Sequence, residues 1–436
     1  MSDRIGVGRL IDERPMSGMQ IGIAVLCAVA IFLDGYDLQA MALAVPSLAR
    51  DWGRSPEDFD WALSGAQIGL AIGGALVAHL GDRIGRRATV IGCLVLLGVA
   101  TAATASSSTV AEFILWRILT GVGIGAIVPN CNAWTAEYVP VKLRSVVVVA
   151  MNAAVGLGAF SAGYIAPPAI HAWGWRGIFL VGGIAPLVTA AIMFLFAQES
   201  LKFLLTKRAA DKRIGTIVNR IAPGIDPALL YLEDTHGEKR GSALTLLAPL
   251  YRSRTLLLWG IVMLNFFVLY VLISWLPTLL ESAGWSPDDA LQGAVMIQLG
   301  GVVGGVALSF LLDRGMTKTS LRIAWLTAGT CFLLFLVTPS SFAAWGALLL
   351  AIGAGISGAQ LCLNALSTAY YPPAIKATGF GWVGVIGGIG SIVAPPVGAW
   401  FITQGVPPTD VLVFLVVPVL LCIAGTMLMK REWQAH

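Results

Sequence analysis

Long apolar runs separated by short polar breaks dominate this chain. Windows of about 20 mainly apolar residues, the length that crosses about 30 Å of hydrocarbon, fall at 19–48, 61–80, 88–106, 112–134, 145–168 and 176–197. After a polar stretch they resume at 255–280, 291–312, 322–339, 343–369, 377–402 and 410–429. The pattern predicts an all-α membrane protein with twelve transmembrane helices in two pseudo-symmetric six-helix bundles. Its expected parts are a cytoplasmic tail (1–18), a first bundle (19–197), a cytoplasmic linker loop (198–254), a second bundle (255–429) and a short tail (430–436).

Composition agrees. Of the 436 residues, 57% are hydrophobic and 12% are charged. Soluble domains carry roughly twice that charged share, so lipid is the expected solvent. Arginines and lysines give the orientation. With the N-terminus inside, 24 of them fall on the inner side, only Arg50, Arg54 and Arg176 fall outside, and Arg117 alone lies within a span. This bias places both termini in the cytoplasm of a bacterial inner-membrane protein. The polar start, with Arg4, Arg9 and Arg14, lacks the pattern of a cleavable signal peptide. Six cysteines sit singly in apolar runs and read as small buried hydrophobes, not as a disulfide framework or metal site. No basic stripe interleaved with aromatics suggests nucleic acid.

The two halves repeat. A shift of 232 residues superposes Gly121 on Gly353, Gly123 on Gly355, Asn132 on Asn364, Tyr138 on Tyr370, Pro140 on Pro372, Arg144 on Lys376, Gly156 on Gly388 and Gly158 on Gly390. Parallel six-span halves of this kind are a transporter design, with the solute site expected between them.

The loop after span 2 reads Gly81-Asp82-Arg83-Ile84-Gly85-Arg86-Arg87, with a weaker copy at Asp313-Arg314-Gly315. It resembles the loop signature of the major facilitator superfamily, although Ala78 stands where that signature usually begins with Gly. Asp34-Gly35-Tyr36-Asp37 in span 1, with Pro129-Asn130, Glu137-Tyr138-Val139-Pro140 and Arg144 around the end of span 4, is similar to the aromatic acid:proton symporter family within that superfamily. The resemblance implies the major facilitator fold and proton-coupled uptake of an aromatic acid. It also implies that Asp82 meets a helix N-terminus near Lys376–Thr378.

Asp34 and Asp37 share one helix face, and carboxylates inside a span are functional candidates. Asp34 lies about 22 Å along its helix and Arg117 about 8 Å below the opposite surface, which places them at matching depth in a slab about 30 Å thick. Arg117 is therefore expected to pair with Asp34 or Asp37. Arginine keeps its charge, whereas a buried carboxylate can be neutralised by a proton. The alternatives are a purely structural ion pair, or a first span that ends early and leaves both carboxylates in water.

Arg117 is also the one in-span cation able to meet a substrate carboxylate. Tyr36, Asn130, Phe267, Tyr270, Gln298, Asn364 and Trp382 add aromatic faces, hydroxyls and amides suited to a hydroxylated ring. Asp82, Arg83, Gly85, Arg86, Arg87, Glu137, Arg144, Asp313 and Arg314 form the expected conformational gate. The 232-residue shift takes Asp34 to Phe266, Asp37 to Leu269 and Arg117 to Leu349, so proton handling is expected in the first half. His79 reads as an interfacial residue. Gly121-x-Gly123-x-Gly125 lies in a lipid span, not after a strand, and is no dinucleotide loop.

These features point to a proton symporter for a small aromatic carboxylate such as a hydroxybenzoate. It is expected to act as a monomer in the lipid bilayer, without cofactor or metal. A proton-coupled exporter, or an importer of another organic acid or drug, is the alternative. No phosphate-binding loop suggests direct ATP drive. An intramembrane enzyme would need a nucleophile with a base, or clustered metal ligands, and neither is visible.

Overall fold

The computed structural model describes residues 5–207, 213–231 and 243–429; the 430–436 tail, parts of the linker and the side chains of Asp313 and Lys376 lie outside the described residues. Among the described residues, eleven helices are long and apolar enough to cross a membrane. They are spans 1 (Gly18–Trp52), 2 (Pro56–Ile84), 3 (Arg86–Thr104), 4 (Val110–Tyr138), 5 (Val141–Trp173), 6 (Arg176–Phe196), 7 (Pro249–Ser282), 8 (Pro287–Leu312), 10 (Phe342–Ser367), 11 (Thr378–Thr403) and 12 (Pro408–Leu428). The remaining helix in the order, Thr317–Leu334, is span 9. Its first turns carry Thr317, Lys318, Thr319 and Arg322, which dilute its hydropathy. Side-chain caps start several spans where the hydropathy begins. Thr109 accepts from the Glu112 amide, Ser286 from that of Asp289 and Ser341 from that of Ala344, each satisfying an amide that the first helical turn leaves unpaired.

The chain forms two compact units. The first holds residues up to Asp37, Ile68–Gly158 and the stretch from Phe179 through the linker helices. The second holds Leu38–Gln67, Ala159–Ile178 and the chain from span 7 onward.

Close helix contacts give the internal repeat a physical basis. In the first half a Cβ on Gly69 would lie 2.0 Å from the Ile118 carbonyl oxygen, and one on Gly73 2.1 Å from that of Val122. In the second half Gly300 faces the Leu350 carbonyl at 2.0 Å and Gly304 the Ala354 Cα at 2.4 Å. Gly123 meets the backbone at Cys93 and Leu97, and Gly355 meets it at Ala324 and Ala328. Gly158 lies on Phe32 and Tyr36, and Gly390 lies on Met263 and Phe267. Small residues at these crossings let helix backbones touch.

The same pairs correct one sequence expectation. The shift is 232 residues for spans 4 and 5 but 231 for spans 1 to 3, because one extra residue enters before span 10. The structural counterpart of Asp34 is therefore Asn265, not Phe266, and that of Asp37 is Val268, not Leu269.

Within the first unit, the N-terminal segment and the linker carry structure that hydropathy did not predict. Ile5–Gly6 pairs in parallel with Leu230–Tyr231. The Val7–Asp12, Leu201–Lys207 and Arg213–Ile221 helices bury Val7, Leu10, Ile11, Leu201, Leu204, Ile214, Ile217, Val218 and Ile221 in one core with residues of spans 1, 3, 4, 5 and 6. Asp12 Oδ1 accepts from the Val141 amide at 2.8 Å and so caps span 5.

In the second unit, the ends of spans 1, 2 and 5 farthest from the termini pack on spans 7, 8 and 11. Arg50 pairs with Glu281 at 2.6 Å and His171 meets Asp288 at 3.2 Å. Ser64 Oγ donates to the Ile392 carbonyl at 2.9 Å.

Candidate functional site

Span 1 presents Asp34 and Asp37 one turn apart on a helix that close packing holds in place. A Cβ on Gly35 would sit 1.9 Å from the Val155 carbonyl oxygen, so only glycine lets spans 1 and 5 approach this closely beside the two carboxylates. Tyr36 is buried and lies against Gly182 of span 6.

Arg117 of span 4 pairs with Asp37. Its Nη1 donates to Oδ1 at 3.0 Å and its Nη2 to Oδ2 at 2.8 Å, with a longer contact of 3.5 Å to the Asp37 carbonyl. The two side chains are 1% and 2% exposed. The guanidinium also lies 5.9 Å from the centre of the Phe179 ring, a cation–π distance. This fork-to-fork geometry is the strongest form of a charge-assisted contact. Arg117 Nε is buried and meets no acceptor among the described residues.

Two hydroxyls complete the arrangement. Thr101 of span 3 donates to Asp37 Oδ1 at 3.2 Å, and its oxygen lies 3.4 Å from that of Thr120 on span 4. Both threonines are wholly buried. Sequence reasoning missed them, since a threonine in a span ordinarily bonds back to its own helix. Their one readable signal was their depth, level with Arg117.

Asp34 differs from Asp37. It is 8% exposed and has no ion-pair partner among the described residues. The structure thus gives one carboxylate a fixed counter-charge and leaves its neighbour without one.

The remaining expected site residues are dispersed. Asn130 is buried and fully engaged: its Nδ2 donates to the Ala78 and Ala126 carbonyls, and its Oδ1 accepts from Arg86. A Cβ on Gly81 would lie 1.8 Å from that oxygen, so Asn130 seats the loop after span 2. Phe267 lines an apolar cleft of about 370 Å³ with residues of spans 7, 11 and 12. Tyr270 stacks on Phe266 with ring centroids 6.0 Å apart, and Trp382 stacks on Trp259 at 5.9 Å. Gln298 donates to Gln39 at 3.4 Å. Asn364 accepts from Gln360 at 3.2 Å.

The gate residues divide similarly. Arg86 bridges Asp82 and Glu137. Glu137 accepts from Ser200. Glu199, not singled out in the sequence, accepts from the Arg87 backbone amide at 3.1 Å and lies against Gly85, whose φ of 109° favours glycine. The Arg87 side chain donates to the Phe194 carbonyl. Arg144 is half-buried, with Nη2 3.5 Å from the Val139 carbonyl. Arg83 and Arg314 are exposed, and the side chain of Asp313 lies outside the described residues.

Comparison with known proteins follows the same lines. The chain is 31% identical over 429 residues to the 4-hydroxybenzoate transporter PcaK of Pseudomonas aeruginosa, covering 98% of this chain and 96% of that one. It is 31% identical to the gallate transporter of Pseudomonas putida, over 92% of this chain and 90% of the relative. It is also 31% identical to the 3-(3-hydroxy-phenyl)propionate transporter of Escherichia coli, over 85% and 84%. Among solved structures, the inward-open xylose transporter XylE from E. coli matches with a TM-score of 0.70 at 16% identity, covering 94% of this chain and 96% of that one. The bacterial Spinster homologue matches with a TM-score of 0.72 at 17% identity, covering 96% and 98%. The model of the Major Facilitator Superfamily matches residues 27–395. This chain, with its repeated six-span halves and its Gly-Asp-Arg loop, belongs to the Major Facilitator Superfamily of membrane transporters.

Proposed function

We propose that this protein is a proton-coupled symporter that imports a small aromatic carboxylate, of the hydroxybenzoate type, by alternating access. One observation carries the reading: a buried Asp37–Arg117 pair beside a second carboxylate, Asp34, that has no ion-pair partner among the described residues. A carboxylate held against arginine keeps its charge at low cost. One without such a partner, largely out of water, exchanges charge for a proton more readily. Asp34 is then the proton carrier, and Asp37 the group that releases Arg117 when a substrate anion competes for it. Relatives named for 4-hydroxybenzoate, gallate and 3-(3-hydroxy-phenyl)propionate transport support the substrate class.

In this reading the two six-span halves rock about the bound acid. Asp82, Arg83, Gly85, Arg86, Arg87, Glu137 and Arg144, with Asp313 and Arg314 in the second half, act as the gate. The Arg86 bridge between Asp82 and Glu137 is the contact that breaks and re-forms. The protein works as a monomer in the inner membrane, with both termini in the cytoplasm.

The test is accumulation of labelled benzoate, 4-hydroxybenzoate and gallate in inside-positive, inside-negative and pH-jumped proteoliposomes. Accumulation driven by an acid exterior, for at least one acid, is expected. Equal accumulation with and without a pH gradient would sink the symport reading, and no accumulation of any aromatic acid would sink the substrate class.

A further inference from the structure

The second unit contains a polar chain whose direction is fixed at Asn265, by the Trp325 indole on one side and the Ile356 carbonyl on the other. Trp325 of span 9 donates its indole N–H to Asn265 Oδ1 at 2.9 Å. An indole nitrogen can only donate, so the Asn265 amide must present its oxygen to Trp325. Its Nδ2 therefore faces span 10, where it donates to Gln360 Oε1 at 3.0 Å and to the Ile356 carbonyl at 3.3 Å. With the Gln360 oxygen occupied, its Nε2 is directed onward and donates to Asn364 Oδ1 at 3.2 Å. Each amide passes the same polarity to the next. The chain ends on the Asn364 NH₂ group, which has no acceptor among the described residues. Asn364 is half-buried, whereas Asn265 is wholly buried.

The free end is thus a donor by construction and cannot turn over without leaving Trp325 unpaired. Asn265 also occupies the place that Asp34 holds in the first half, so the second half answers the first half's carboxylate with a neutral amide relay. A carboxylate oxygen only accepts, whereas a phenol hydroxyl both donates and accepts. A directionally fixed donor therefore discriminates for the carboxylate more than for the hydroxyl. Arg117, the expected carboxylate partner, is almost wholly buried, and both of its Nη atoms are bonded to Asp37.

We infer that Asn364 donates to the carboxylate of the aromatic acid, held in that polarity by Trp325 through Asn265 and Gln360. The inference rests on the proposed transport of aromatic acids. The experiment compares benzoate, which has no ring hydroxyl, with 4-hydroxybenzoate. Asn364→Ala is expected to raise KM for both acids by a similar factor, about 10- to 100-fold, the loss of a hydrogen bond to a charged group. Asn364→Asp, which places an acceptor there, is expected to abolish uptake of both. Asn364→Ser, which keeps an O–H donor, is expected to recover part of what Asn364→Ala loses. Trp325→Phe, which removes one of the two groups that hold the relay in this polarity, is expected to raise KM for both acids by less than Asn364→Ala does, with the thermal midpoint held within a few degrees. A KM change confined to 4-hydroxybenzoate, or uptake retained by Asn364→Asp, would overturn the assignment. Wild-type protein that takes up no aromatic acid, gallate included, would overturn the transport reading itself, and would be recognised before any variant is compared.

Discussion

Replacing Asp37 with leucine leaves the Arg117 guanidinium charged and buried without its partner. Two charge-assisted bonds of 2.8 and 3.0 Å are lost, and neither side chain is exposed enough for solvent to compensate. Removing one member of a buried pair costs about 3–5 kcal/mol, while replacing both by apolar groups of similar size is often neutral. Asp37→Leu should therefore lower the melting temperature by roughly 5 °C or more, and Asp37→Leu/Arg117→Met should return it close to that of the wild type. The protein supplies its own probe. Cys27, Cys93 and Cys131 are buried in the first unit, and Cys331, Cys362 and Cys422 in the second. A thiol-reactive fluorophore in detergent will therefore report unfolding. Both variants should lose concentrative uptake, which separates the pair's contribution to stability from its contribution to transport. A single variant as stable as the wild type, or a double variant as unstable as the single, would refute the idea that this charge is compensated inside the membrane.

Three other outcomes follow from the same geometry. Asp34→Asn should abolish accumulation driven by a pH gradient yet keep exchange of labelled for unlabelled acid, because exchange needs no net proton movement; loss of both would remove Asp34 from the proton path. Thr101→Val removes the hydroxyl that donates to Asp37 and should move the pH midpoint of uptake, whereas Thr101→Ser should keep the wild-type profile; identical profiles for both would make Thr101 a packing residue only. Gly73→Ala places a Cβ against the Val122 backbone at 2.1 Å. Spans 2 and 4 must then separate, at about 1–3 kcal/mol, measured as a drop in thermal midpoint, with Gly92→Ala, which meets open space, as the unaffected control.

Much of this fold was legible in the sequence because lipid imposes simple rules. Spans announce themselves by length and hydropathy, and the halves by matched glycines. Span 9 was readable although its polar first turns lower its hydropathy. The register of the repeat was not fully readable. The match across spans 4 and 5 gave 232 residues, and only the helix crossings showed that spans 1 to 3 follow 231. The linker helix Arg213–Ile221 was missed, although Ile214, Ile217, Val218 and Ile221 recur at helical spacing. Its apolar stripe is far too short to cross a membrane, so a search for spans passes over it.

The Asp–Arg pairing was anticipated from depth alone, but depth could not choose between Asp34 and Asp37. That choice depends on which side of span 1 meets span 4, and it is set by the Gly35–Val155 and Gly158–Phe32 contacts with span 5. Asn130 looked like a substrate contact because an amide suits a hydroxylated ring. Its donors and acceptor are instead taken by Ala78, Ala126 and Arg86, a network that exists only once the loop after span 2 has folded over it. Thr101 gave no sequence signal beyond its depth.

The central claim is that substrate and proton cross together through Asp34. Proteoliposomes loaded with a pH-sensitive dye and held at zero imposed gradient test it directly: an inward gradient of 4-hydroxybenzoate, or of whichever acid the wild type accumulates, is applied and the internal pH is followed. The account predicts internal acidification that tracks substrate entry in the wild type and disappears in Asp34→Asn. Substrate entry through the wild type with no change in internal pH beyond that of protein-free vesicles would contradict it.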